Sequence, residues 1–81
     1  MMIEVLLFGP ERDAAGVDRV RVEIDGELTC AALRAALGTG TPALLPVLRC
    51  ARFAVNGRFA DDAHRIGAGD EVALIGLVSG G

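Results

Sequence analysis

Two apolar runs, residues 2–8 near the start of the chain and residues 71–75 near its end, restrict the fold more than any other feature. Both have the pattern of largely buried β-strands. In the first run the odd-numbered residues are predicted to face the core, and the even-numbered ones, ending with Phe8, to face away. In the second run the even-numbered residues face the core and Ile75 faces away. Apolar residues on both faces favour strands at the centre of a sheet.

Residues 20–24 predict a further strand, because apolar and charged side chains alternate there. Between the first two strands, residues 11–15 can form a short helical turn closed by Gly16. The two strands together therefore predict a hairpin with a long connection.

One main helix is predicted in the middle of the chain. Thr29 is a suitable N-cap, and the helix is expected to run to about Leu37 and to stop at Gly38. Residues 38–46 contain several glycine and proline breaks, so they are predicted to be a loop, with room for a helical turn at residues 44–45.

Asn56-Gly57 is the strongest local signal of a hairpin, since it separates strand-like residues 52–55 from residues 58–59. Residues 67–70 are predicted to form a tight turn into the last strand.

The order strand, strand, helix, strand, short strand, strand is that of the β-grasp or ubiquitin-like fold. This is an α+β architecture in which a mixed sheet of about five strands wraps one main helix. Its first and last strands lie in parallel at the centre of the sheet. We therefore predict a β-grasp domain over residues 1–76 and a flexible C-terminal tail, residues 77–81, that ends in Gly-Gly.

Charge and composition exclude several classes of protein. The net charge is −3, and the 8 basic residues are scattered arginines with no lysine among them. No basic patch for nucleic acid is therefore expected. No apolar run approaches the ~20 residues that span a bilayer, and no signal peptide is visible. A cytoplasmic location, without nucleic-acid or membrane partners, is predicted.

The chain offers little for catalysis or metal binding. Cys30 and Cys50 lack a C-x-x-C spacing and are interpreted as reduced, partly buried thiols, although a disulfide stays open. His64 has no evident nucleophilic partner and is interpreted, with Asp61 and Asp62, as loop surface. The domain alone is therefore predicted to be non-catalytic, with no bound cofactor or metal.

The terminal pair Gly80-Gly81 points to a function of the C-terminus itself. Glycine at a free end packs against nothing and is costly to order, but it lets a carboxylate enter a narrow slot. Residues 77–81, fully extended, reach about 17 Å. The alternative is a frayed terminus without function.

A set of short motifs spread along the chain carries a family resemblance. They are residues 3–8, 11–13 and Gly16, then Thr29 with residues 32–34, then residues 54–56, 69–73 and 78–81. With these motifs nearly the whole chain resembles the small subunit of molybdopterin synthase, in the MoaD/ThiS family of sulfur carriers. One departure is Gly76-Leu77, where the family commonly has a proline pair that would stiffen the exit of the tail.

The resemblance implies that Gly81 is the reacting group and that Gly80 gives it clearance. In the family, an adenylyltransferase related to ubiquitin-activating enzymes uses ATP to adenylate the C-terminal glycine. A sulfur donor such as a rhodanese or a cysteine desulfurase then converts it to a thiocarboxylate. The tail enters the large synthase subunit, within a heterotetramer, and gives its sulfur to cyclic pyranopterin monophosphate in molybdenum cofactor biosynthesis.

The resemblance also implies a set of partner-binding residues. Phe8, Phe59 and Ile75 match apolar positions that the family presents to partners, and Arg12 matches a position that can pair with acidic partner residues. For Phe59 a core position stays open, and for Arg12 a solvated surface position does. The tail residues that enter the partner are Leu77, Val78 and Ser79.

Other functions stay open at this level. A sulfur carrier for thiamine or cysteine synthesis, and a ubiquitin-like modifier joined to lysines of other proteins, would share the activation step. Lacking lysine, the chain cannot form lysine-linked polymers of itself. A plain β-grasp binding module would differ from all of these, because it would keep its activity without Gly81.

Overall fold

The computed structural model describes residues 1–76, which form a five-stranded mixed sheet with its helices. The strands are β1 (Met2–Phe8), β2 (Arg19–Glu23), β3 (Ala51–Val55), β4 (Arg58–Ala60) and β5 (Val72–Gly76). The helices are α1 (Pro10–Ala15), α2 (Cys30–Gly40) and α3 (Leu45–Leu48), and a 3₁₀ turn over Pro42–Leu44 lies between α2 and α3.

The strands lie in the order β2-β1-β5-β3-β4. β1 and β5 are parallel neighbours, and every other neighbouring pair in the sheet is antiparallel. The predicted β-grasp fold, with the first and last strands side by side inside the sheet, is confirmed.

One face of the sheet packs with the helices to make the core. The parity predicted for β1 is confirmed, since Val5 and Leu7 are fully buried while Phe8 is exposed. From α2 the buried residues are Cys30, Leu33 and Leu37, and from the central strand they are Val72 and Leu74.

The start of α2 is fixed as predicted. The hydroxyl of Thr29 accepts a hydrogen bond from the Ala32 amide over 3.1 Å. The first two amides of the helix donate to the carbonyls of His64 and Asp62, each over 3.0 Å. The loop that was predicted to lie at the surface therefore also supplies the carbonyl acceptors for the first amides of α2.

The predicted end of α2 is wrong, because the helix continues through Gly38 to Gly40. A glycine ends a helix when it takes the left-handed conformation, and neither glycine has a positive φ. The helix stops instead at Thr41, which is extended (φ −134°) as expected for a residue before proline.

The predicted loop over residues 38–46 is also wrong for most of its length. After α2 the chain forms the 3₁₀ turn and then α3, and a proline stands in the first turn of each. That position suits proline, because its missing N–H would have no partner in the helix. A side chain at Gly38 would stand 2.9 Å from the end of the Leu45 side chain, so the glycine allows α3 to lie close to α2.

The hairpin at Asn56-Gly57 is confirmed, with φ angles of 53° and 82° at its two turn residues. The carboxylate of Asp70 accepts hydrogen bonds from the Gly67 amide at 2.7 Å and the Asn56 side-chain amide at 3.1 Å. Asn56 in turn accepts from the Glu71 amide at 2.9 Å. This network joins the hairpin to the start of β5.

Among the helices of residues 1–76, none alone has the length and hydropathy to cross a membrane. The segments Cys30–Gly40 and Pro42–Leu48 together reach the length and hydropathy of a membrane span, but they are bent by 114° relative to each other.

We expect Asp70→Asn to lower stability at neutral pH and to lose this effect in acid. Hydrogen bonds from Gly67 and Asn56 hold the pKa of Asp70 below its ordinary 3.8. The native state therefore binds this proton more weakly than the unfolded chain does. The stabilisation is present above the ordinary pKa and is lost as the pH falls through the folded pKa.

Urea unfolding of the wild type and Asp70→Asn at about pH 7 and about pH 3 measures this effect. Asp25→Asn, a change at an exposed carboxylate outside the network, is the control. An equal loss of stability at both pH values would contradict the prediction.

Candidate functional site

The face of the sheet opposite the core carries a row of side chains at the C-terminal ends of β1 and β5. Phe8 is paired with Ile75, and Ile75 with Arg52 of β3. Residues paired across strands project on the same side of a sheet. Their chain neighbours Leu7 and Leu74 point into the core, so this row lies on the open face.

Phe59 extends the row from β4. It is paired with Ala54 of β3, and its side chain is 56% exposed. The guanidinium carbon of Arg52 lies 4.9 Å from the centroid of the Phe59 ring, within the range of a cation–π interaction. Phe59 is therefore a surface residue, and the core position that the sequence left open is excluded.

The apolar side chains of this face lie beside the end of β5, with Arg52 among them. The open-face patch, as we call it, consists of Leu6, Phe8, Phe59, Ala73 and Ile75. The Phe8 side chain is 50% exposed. An exposed apolar patch on a domain of this size is typical of an interaction surface.

The far end of the same face has a different character. Glu4 lies 3.4 Å from a side-chain nitrogen of Arg19 and 3.4 Å from one of Arg21. Exposed pairs of this kind contribute little stability, but they place charges at this end, beside the exposed Met2 side chain. The exposed aromatic side chains, Phe8 and Phe59, lie at the other end, where β5 finishes.

Arg12 lies on α1, next along the chain from the end of β1, and its side chain is exposed. Its carbonyl accepts a hydrogen bond from the Gly16 amide at 2.9 Å, which closes the helix. Among residues 1–76, none of the ion pairs includes Arg12. Its guanidinium is available to a partner, and its pairing role stays a prediction.

Gly76 is the last residue of β5 and is paired with Ala51 of β3. It follows Ile75 directly, so β5 ends beside the open-face patch. The predicted roles of the tail lie outside the described residues; they concern Leu77, Val78, Ser79, Gly80 and Gly81.

Glu11 is a residue of this region that sequence reasoning missed. It is 1% exposed, and its Oε2 atom has no hydrogen-bond partner among the described residues. A methyl group placed on Gly76 would stand 2.8 Å from the carboxyl carbon of Glu11. An acidic residue in the first turn of a short helix normally lies at the surface, so the sequence contains no signal of this burial.

The two cysteines differ in their exposure to solvent. Cys30 is fully buried in the core and Cys50 is exposed, and both are free thiols. Burial raises the pKa of the Cys30 thiol, and the nearby Asp62 carboxylate raises it further. Within residues 1–76, His, Cys, Asp and Glu side chains nowhere form a group of three that could hold a metal ion.

Comparison with known sequences shows the family to which the chain belongs. The model of the ThiS family matches residues 5–81. A curated protein of Chlamydomonas reinhardtii, named molybdopterin synthase sulfur carrier subunit, is 35% identical over 83 residues, which covers 100% of each chain.

Solved structures agree in fold over the whole chain. The crystal structure of SAMP1 from Haloferax volcanii is 33% identical, with a TM-score of 0.82 and 100% of both chains covered. A chain in the complex of subunits 1 and 2 of molybdopterin-converting factor from Helicobacter pylori is 27% identical, with a TM-score of 0.71 and the same coverage. The resemblance predicted from the sequence motifs is confirmed, and this chain belongs to the ThiS family.

Proposed function

We propose that this protein is the sulfur-carrier subunit of a molybdopterin synthase, and that Gly81 is its reacting group. One observation carries the proposal. The exposed apolar patch lies at the end of β5, where the chain continues into residues that end in Gly-Gly. Full-length identity of 35% to a protein named as such a subunit supports it.

The chemistry of the C-terminus requires activation before it can carry sulfur. A terminal carboxylate has a pKa of about 3.5 and is an anion at neutral pH, so it is a poor electrophile. In the activating enzyme its oxygen attacks the α-phosphorus of ATP, and pyrophosphate leaves. Sulfide then attacks the acyl carbon, and AMP leaves with the oxygen. A persulfide would attack in the same way to form an acyl disulfide, whose S–S bond a thiol then reduces to release the thiocarboxylate and a disulfide.

Glycine suits this reacting position. With no side chain at Gly81 or Gly80, the carbonyl carbon is open to attack from either side and the chain can enter a narrow slot. The resulting thiocarboxylate is a soft nucleophile that can pass its sulfur to cyclic pyranopterin monophosphate. ATP is proposed to belong to the activating partner, and we expect no bound cofactor in this subunit.

The open-face patch is proposed to bind the partners in turn. The large synthase subunit, the adenylyltransferase and the sulfur donor each need access to the same tail, so each must dock beside the end of β5. In the Helicobacter pylori relative, subunits 1 and 2 of molybdopterin-converting factor form a protein–protein complex. Phe8, Ile75 and Phe59 would supply the apolar contact, and Arg12 a charge at its margin.

The first experiment is the intact mass of the chain after incubation with the activating enzyme, ATP and a sulfur donor. We expect the mass gain of one oxygen replaced by sulfur, and no gain in a variant that lacks Gly81. A wild-type mass that stays unchanged with an enzyme shown to activate another carrier would overturn the proposal.

A second prediction concerns docking. Phe8→Ser should weaken binding to the large synthase subunit by about tenfold or more, since a buried aromatic anchor at an interface contributes roughly 2 kcal/mol. Met2→Ser is the matched control, because Met2 is 58% exposed on the same strand and face but lies at the far end from the tail.

Titration calorimetry with the isolated large subunit compares the two variants. Equal loss of affinity in both would show that the whole face, not the open-face patch, is used. Unchanged affinity in Phe8→Ser would remove Phe8 from the interface.

A ubiquitin-like modifier is the second candidate, favoured by 33% identity over the whole chain to SAMP1 of Haloferax volcanii. A further crystal structure, that of small archaeal modifier protein 1 from the same organism, is 31% identical. The two functions share the activated Gly81 and differ in its acceptor. Immunoblots of cells for covalent conjugates that vanish on deletion of Gly81 distinguish the modifier from the carrier.

A further inference from the structure

Glu11 is a buried carboxylate at the point where the C-terminal tail begins. It is 1% exposed, and its Oε2 atom is unpartnered among residues 1–76. Burial of a polar group without a hydrogen bond is costly, and more so for a carboxylate. Among these residues Glu11 is also the only polar or charged residue that is buried. Since no hydrogen bond compensates its Oε2 atom, we infer that packing against neighbouring elements keeps the side chain buried.

Glu11 lies on α1, which packs against β1, β5, the 3₁₀ turn and α3. Its carboxyl group occupies the space where the side chain of residue 76 would be, since a methyl group on Gly76 would stand 2.8 Å from the carboxyl carbon and closer still to both oxygens. Real Cβ atoms essentially never show such contacts, so the Glu11 side chain would have to shift to admit one.

Gly76 is a glycine for reasons of space, not of backbone conformation. The φ angle of Gly76 is not positive, so a residue with a side chain could adopt the same backbone conformation. At Gly38 the crowding atom is the free end of the Leu45 side chain, which is 58% exposed and can move. At Gly76 it is a side chain that is enclosed on all sides.

We propose that Glu11 is a positioning residue for the C-terminal tail. Its carboxyl group fills the space beside Gly76, packs the end of β5 against α1 and strongly favours glycine at position 76. The effect on tail presentation rests on the proposed carrier function, whereas the packing of the pair does not.

A double-mutant cycle tests the packing. Gly76→Ala should raise the unfolding equilibrium constant of the full chain by about tenfold or more, as expected for contacting residues. In the Glu11→Ala background the same change should raise it by less than about threefold, because the space is free. Glu11→Gln fills the same volume, so Gly76→Ala should be as harmful in that background as in the wild type.

Urea unfolding followed by circular dichroism measures these constants. If Gly76→Ala alone fails to fold, recovery of folding in Glu11→Ala/Gly76→Ala becomes the test. Equal costs of Gly76→Ala in the wild-type and Glu11→Ala backgrounds, or failure of the double variant to fold, would overturn the proposal.

The positioning role is tested by kinetics with the activating enzyme. Pyrophosphate release should show a KM for Glu11→Ala raised by about threefold or more, with kcat little changed, because the tail is presented less well. Asp13→Ala is the control, since it removes a carboxyl group from an exposed position of the same helix. An unchanged KM in Glu11→Ala, or an equal rise in Asp13→Ala, would overturn the positioning role.

The two tests separate this inference from the proposed function. If the wild-type chain is never adenylated, the carrier function fails while the unfolding cycle still decides the Glu11–Gly76 packing. If adenylation proceeds and the cycle shows no coupling, the carrier function stands and the inference fails.

Discussion

The parallel pairing of β1 and β5 is the interaction on which the rest of the molecule depends. It joins the two ends of the described chain, from Val5 with Val72 to Phe8 with Ile75. Side chains alternate between faces, so this single register decides which residues enter the core and which remain outside. A shift by one residue would exchange Leu74 for Ile75 in the core. The core, the open-face patch and the exit of the tail are therefore set together by one ladder of hydrogen bonds.

Features that depend on local patterns could be predicted from the sequence. The bounds of β1 and the hairpin at Asn56-Gly57 were predicted correctly, because alternation and left-handed turn residues act over a few positions. The outward position of Phe8 followed from the same parity. The topology followed from the order of elements, because that order is the one of the β-grasp fold, in which the first and last strands are neighbours.

Features that depend on distant neighbours could not be predicted. Gly38 looks like a helix stop, yet it remains helical beside Leu45 of α3. Phe59 could have been core or surface, because a three-residue strand has too few positions to define its inner face. Glu11 has an ordinary place in the sequence, and its burial becomes visible only when α1 meets the end of β5. In each case a tertiary contact outweighs the local preference.

The central position of β5 also has a mechanical consequence. A force applied to Gly76 along the strand would pull β5 along its own axis. Hydrogen bonds to β1 and β3 flank this strand and run across that direction. Such a force would therefore load them together in shear, and none would have to open first as in peeling from an edge. We therefore expect β5 to resist a pull along its axis more strongly than an edge strand such as β4 or β2.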